Sequence, residues 1–213
     1  MVLNQHKLVG IIDYGTGNIA SLDHAFAELG ATIRLIQSPE QLHQLDAVVL
    51  PGVGHFGPSS QMLQANGVQE VLIGLIRLGL PTLGICLGFH LLTASSEEAP
   101  HADGLNLLPL RTERIRPIDT KLHKVPHLGW NSLATPAEPA RLLAGIAPKD
   151  QLFYFANSYA IAPNASHSGP QALYQHELPW LAMVEQANIH GVQFHPEKSR
   201  RQGLQLLRNF LAI

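Results

Sequence analysis

The sequence predicts an α/β fold, with a central, mostly parallel sheet and a β-rich second half. Short, continuous apolar runs, LVGII, TIRLI, AVVL and TLGI, recur through the first half with helical patterns between them. Strands without polar alternation are buried on both faces, which is the environment of a parallel sheet covered by helices. From about Pro100 to Pro179 the pattern gives way to Pro, His and turn residues with short strand-like runs such as LFYFANSYAI, so this part reads as antiparallel or mixed.

Taken in order, LVGII is a strand and DYGTGN a loop. SLDHAFAELG is a helix with Leu22, Ala25, Phe26 and Leu29 on one face and Gly30 as its stop. TIRLI is a second strand, followed by Ser38, Pro39 and a short polar helical stretch, and AVVL is a third that ends at the loop PGVGHFGP. Val68 to Leu78 reads as a helix, and PTLGICLG as a strand closed by a glycine-flanked turn. WLAMVEQ and HGVQF are late strands, and a final helix carries Leu204, Leu207 and Leu211 on one stripe. With its first and last elements resembling parts of one sheet, the chain reads as a single domain over residues 1–213.

Composition narrows the function. Of 213 residues, 46% are hydrophobic and 14% charged, which excludes a disordered or coiled-coil architecture. With 14 Lys and Arg against 16 Asp and Glu, the net charge of -2 gives no footprint for nucleic acid or an anionic membrane. A single cysteine allows no internal disulfide, and the N-terminus has no secretory pattern, so a cytoplasmic protein is expected. The apolar stretch from Val71 to Leu92 is long enough to span a bilayer, but Arg77, Pro81 and His90 favour helix, turn and strand.

The chemistry collects at loops that follow strands. Gly84-Ile85-Cys86-Leu87-Gly88 lies between an apolar strand and a helical run, the context of a nucleophile elbow. Glycines there permit the sharp turn, and at a helix N-terminus the backbone amides favour a thiolate on Cys86. In Gly191-Val192-Gln193-Phe194-His195-Pro196-Glu197, a histidine ends a strand, and Glu197 two positions later can orient its ring. Pro51-Gly52-Val53-Gly54 also follows a strand and can aim backbone amides at a developing oxyanion. Gly15-Thr16-Gly17-Asn18-Ile19-Ala20 fits the dinucleotide fingerprint, but Gln37 and Ser38 stand where an acidic residue should end the second strand, so it is set aside. No metal or cofactor is expected.

Together GICLG, HPEKS, PGVGHFG, DYGTGN and KVPHLGWN resemble the class I glutamine amidotransferases, and among them the HisH family of glutaminase subunits of imidazole glycerol phosphate synthase. The resemblance covers essentially the whole chain. It implies a flavodoxin-like fold in which Cys86 attacks the side-chain amide of glutamine, His195 moves protons and Glu197 orients His195. The oxyanion would meet the amide of Leu87 and the Gly52–Val53 peptide. Gly54, His90, Glu98, Asn157, Ser158 and Tyr159 would line the glutamine site, with Glu98 on the ammonium. His90 stands where the family commonly has glutamine, Asn157 where it commonly has histidine, and His55 where it commonly has a small residue. The implied partner is a (β/α)8-barrel cyclase that receives ammonia through a channel, met by Tyr14, Asn18, Trp130 and Lys198. A paralogue feeding a surface-sugar or pyridoxal phosphate synthase, or a non-catalytic docking subunit, remains the alternative.

Overall fold

The computed structural model describes residues 7–15, 19–134, 136–163 and 169–213. Residues 16–18 of the set-aside fingerprint, with the expected Asn18 contact, fall outside them. The first half runs β1 (Leu8–Ile12), α1 (Ile19–Glu28), β2 (Thr32–Ile36), β3 (Ala47–Leu50), α2 (Phe56–Ala65), α3 (Val68–Arg77), β4 (Thr82–Ile85) and α4 (Leu87–Leu92). The second half adds β5 (Ser95–Ser96), β6 (Arg111–Arg114), β7 (His127–Ala134), β8 (Leu152–Asn157), β9 (Tyr159–Ile161), β10 (Gln171–His176), β11 (Leu178–Gln186), β12 (Ile189–Val192) and α5 (Arg200–Leu211).

Among the described residues nine strands form one sheet in the order β2-β1-β3-β4-β12-β11-β10-β7-β8. The five from β2 to β12 are mutually parallel, and from β12 outward every pairing is antiparallel, so only β11 and β7 run against the common direction. The late strand β12 inserts beside β4, with Val192 opposite Ile85. This brings the chain's last strand next to the elbow, although more than 100 residues separate them.

Each face of the sheet carries its own apolar core. On one side Leu22, Phe26, Leu206, Leu207 and Phe210 of α1 and α5 pack on Val9, Ile11, Val49 and Phe194. On the other, Phe56, Leu63, Leu72, Ile76 and Phe89 of α2, α3 and α4 cover Ile12, Val48 and Leu50. The α1 stop is as expected, with Gly30 at φ 80° and its amide on the Ala27 carbonyl. In α5 the buried stripe is Leu206, Leu207, Phe210 and Leu211, while Leu204 is only partly covered. The Val71–Leu92 stretch divides into α3, β4 and α4, and among the described residues no helix is long and apolar enough to cross a membrane.

Two expectations change. HGVQF leaves the ladder after Val192, so Gln193 and Phe194 lead out of the sheet toward His195. LFYFANSYAI is two strands: β8 closes the large sheet, and after Ser158 the chain enters a second sheet of order β5-β6-β9. Asn157 holds this break, its amide donating to the Tyr159 carbonyl at 2.9 Å and to the Tyr174 hydroxyl at 3.0 Å.

Candidate active site

Cys86 has φ 47° and ψ −102°, a conformation that L side chains rarely adopt, in the one residue between β4 and α4. The neighbouring backbone explains the glycines on either side. A Cβ on Gly84 would lie 2.7 Å from the carbonyl of Gly88, and one on Gly88 would lie 2.0 Å from the carbonyl oxygen of Leu50. The glycines are therefore needed to pack α4 directly on the ends of β3 and β4. The Cys86 amide donates to the Val192 carbonyl at 2.7 Å, fixing the elbow to β12.

His195 follows β12 and opens a 3-10 turn at Pro196–Lys198. Its amide donates to the Tyr154 carbonyl at 2.8 Å, and its carbonyl accepts from the Ser199 hydroxyl at 2.6 Å. The same hydroxyl oxygen accepts from the Tyr154 amide at 3.0 Å, so Ser199 clamps the His195 backbone to β8. Ser199→Ala is expected to cost about 1–3 kcal/mol, because the Tyr154 amide would be stranded in a buried site. Urea denaturation checks this.

His195 Nδ1 lies 2.8 Å from Glu197 Oε1, with both side chains 1% exposed. Nδ1–H donates to this carboxylate and leaves Nε2 to face Cys86, which is within hydrogen-bond reach. Burial alone would lower the pKa of His195. The Cys86 sulfur and the Glu197 carboxylate outweigh it, and the imidazole is pushed up to about 10. The imidazole is thus protonated at neutral pH, with its charge facing the Cys86 sulfur. As α4 has only six residues, its dipole is small, and His195 is the main electrostatic partner of the sulfur.

Above the sulfur lies a cavity of about 610 Å³, lined by Gly52, Val53, Gly54, Leu87, His90, Glu98, Asn157, Ser158 and Tyr159 together with Cys86 and His195. All the residues expected for the oxyanion and for glutamine meet here: Gly52 to Gly54 after β3, Leu87 and His90 on α4, Glu98 after β5, and Asn157 to Tyr159 where β8 passes into β9. Gly52 has no room for a side chain, since its Cβ would lie 2.9 Å from His195 Cε1. Glu98 spans the mouth: one carboxylate oxygen accepts from the Phe56 amide at 3.0 Å, and the other lies 3.1 Å from His55 Nδ1. It also covers the start of α2, where a negative charge is favoured. The amide nitrogen of Asn157 is engaged within the protein, as described above. His90 is buried, and desolvation lowers its pKa, so it is neutral at neutral pH.

A family model described as glutamine amidotransferase class-I matches residues 10–213. The chain belongs to the class-I glutamine amidotransferase family. Within these amidotransferases it is similar to the imidazole glycerol phosphate synthase subunit HisH of Methanothermobacter thermautotrophicus, 44% identical over 206 residues, 97% of this chain and 98% of that one. The same-named subunit of Desulfitobacterium hafniense strain Y51 is 40% identical over 203 residues, 95% and 93% of the two chains. Two solved structures share the amidotransferase fold. A glutamine amidotransferase has a TM-score of 0.70 at 20% identity, covering 96% of this chain and 97% of its own. PurLQS from Thermotoga maritima has 0.74 at 15%, covering 98% and 99%.

The expected interface residues of this amidotransferase separate. Trp130 lies on the outer face of β7 at 37% exposure, edge-on to Tyr154 and with the Arg200 guanidinium 4.9 Å from its ring centre. Lys198 is exposed beside the His195 turn and reaches the cavity wall. Tyr14 is a correction. It is 2% exposed, and its hydroxyl donates to the Pro51 carbonyl, so it supports the PGVG loop from below and offers no surface to a partner. The aromatic ring reads as a core residue because β1 points it under that loop. His127, in KVPHLGWN, likewise turns inward, against Tyr174, Phe155 and His176.

Sequence reasoning missed three residues at this site. Ser199 left no signal beyond its place after HPEK. Arg114 lines the cavity from β6, a strand of the second sheet that nothing in the sequence attached to the elbow. Gln193 did leave one: it is a polar residue in an apolar run, two positions before His195, and such spacing puts two extended residues on one side.

Proposed function

We propose that this chain is the glutaminase subunit of imidazole glycerol phosphate synthase, with residues 1–213 as one glutamine amidotransferase domain acting in the cytoplasm. The observation that carries the reading is the elbow cysteine facing an imidazole that a buried carboxylate holds at 2.8 Å. The relatives named HisH supply the pathway.

The Cys86 thiolate attacks the side-chain carbonyl carbon of glutamine, and the carbonyl electrons move to oxygen. The amide of Leu87 and the Gly52–Val53 peptide receive that oxyanion. As the intermediate collapses, imidazolium His195 gives its proton to the departing nitrogen, and ammonia leaves a γ-glutamyl thioester. Neutral His195 then takes a proton from water, whose oxygen attacks the thioester. Glutamate departs, and the ion pair is restored. The carboxylate of Glu98, at the cavity mouth, takes the substrate ammonium, while Ser158, Tyr159 and Gly54 shape the wall around its amino-acid end.

Ammonia passes to a (β/α)8-barrel cyclase subunit, which joins it to a phosphoribulosyl carboxamide intermediate. Trp130 and Lys198, with Arg200, form the rim beside the His195 turn that this partner would meet. Glutamate release measured with and without the barrel subunit tests the reading, with stimulation of about tenfold or more expected. No release in either state would refute it.

The ion pair also sets a pH dependence. The folded protein holds the His195 proton to about 10, well above the ordinary histidine value near 6.5. This contribution to stability is full below about 6.5 and is lost as pH rises through about 10. Removing the negative charge in Glu197→Gln is expected to move the alkaline limb of glutaminase activity to lower pH by about one pH unit or more. Activity profiles of both proteins in the complex check this, and coincident limbs would contradict the role given to Glu197.

A further inference from the structure

We propose that Gln193 is a positioning residue for the catalytic sulfur, an amide relay through which His90 fixes Cys86. Gln193 is fully buried. Its Nε2 donates to Cys86 Sγ at 3.6 Å, and its Oε1 lies 2.9 Å from His90 Nε2. The second contact fixes the direction of the first. An amide oxygen can only accept, so His90 donates from Nε2, and the amide's NH2 end is turned to the sulfur.

The three residues come from the two adjacent strands that build the site and the helix between them. Cys86 immediately precedes the elbow helix α4, His90 lies one turn along it, and Gln193 leaves β12 two residues before His195. One extended segment therefore delivers both the imidazole and an N–H donor to the same sulfur. A donor to a thiolate favours the anion and holds it in one direction. The other ionisable groups around the sulfur are His195 with Glu197 beyond it, the phenols of Tyr14 and Tyr174, and, along the cavity wall, His55, Arg114 and Lys198. Burial raises both phenols, which stay protonated. Beyond His90 lies Glu98, whose charge reaches the ring without overcoming its desolvation.

The catalytic consequence rests on the glutaminase reading, but the relay itself can be read without glutamine. Cys86 is the chain's single cysteine, so the rate of iodoacetamide alkylation against pH reports its sulfur alone. In Gln193→Met the rate at pH 7 is expected to fall about fivefold, the effect of one net hydrogen bond, and the midpoint of the curve to move to higher pH. His90→Leu, which frees the amide to rotate, is expected to slow alkylation about threefold. His90→Gln, whose own amide can donate to Gln193 Oε1, is expected to restore the rate to within about twofold of the parent.

A folded Gln193→Met protein with the parent's profile would overturn the relay. If that variant does not fold, His90→Leu and His90→Gln decide, and equal profiles for the two overturn it. Profiles that respond as expected in a protein whose complex releases no glutamate would uphold the relay and refute the glutaminase reading.

Discussion

Cys86→Ala is expected to lower glutamate release by the assembled complex about ten-thousandfold or more, while leaving the fold intact. Alanine has no sulfur to form the thioester, and neither the oxyanion amides nor the cavity can replace that covalent step. Residual catalysis by binding and charge stabilisation alone is small in enzymes of this logic. The buried volume lost is a single sulfur at the cavity wall, so stability should change little. Glutamate release and a thermal melt, measured on one preparation, separate the two effects. Ordinary turnover by the variant would remove Cys86 from the chemistry.

Gly88→Ala is expected to destabilise the protein by about 3 kcal/mol or more, or to prevent folding. The added carbon would sit 2.0 Å from the Leu50 oxygen and 2.6 Å from its carbonyl carbon, both backbone atoms of a fully buried strand. Neither side can yield easily, because the amide of His90 ties α4 to the Cys86 carbonyl at 3.1 Å and β3 is paired on both edges. Gly74, in the middle of α3, supplies the control. A Cβ there meets nothing within 4 Å, so Gly74→Ala is expected to stabilise by about 0.5–1 kcal/mol. Urea midpoints for the two variants should move in opposite directions.

The parallel half of the fold was legible because its strands are mostly apolar with no polar alternation, and β1 and β3 end abruptly at Asp13 and Pro51. The elbow and HPE were legible for the same reason, since each marks the point where such a run stops. Helix α2 left only a thin apolar stripe to read, Phe56 and Leu63 two turns apart. Between them it packs through Gly57, Ser59 and Ser60, with the Ser60 hydroxyl donating to the Asp103 carbonyl. Small residues permit close approach without registering as periodic hydrophobicity.

The division of LFYFANSYAI was hidden because both pieces are rich in strand-forming residues, and the burial alternation slips only at Ser158–Tyr159, where the chain changes sheets. What separates β8 from β9 is the side-chain amide of Asn157, a tertiary contact with Tyr174 on β10. Tyr14 shows the converse limit. Its place in DYGTGN suggested exposure on a loop, and only the position of Pro51 above it decides that the ring is buried. Residues that end strands announced the chemistry, whereas residues that hold those ends in place, Ser199, Gln193 and Tyr14, depend on neighbours distant in sequence.

The covalent intermediate on Cys86 is the most direct test. The complex, turning over glutamine, would be quenched in acid, digested and weighed by mass spectrometry. The account predicts that the peptide containing Cys86 carries one γ-glutamyl group, removed by hydroxylamine as a thioester would be. Glutamate released while that peptide stays unmodified throughout turnover would contradict it.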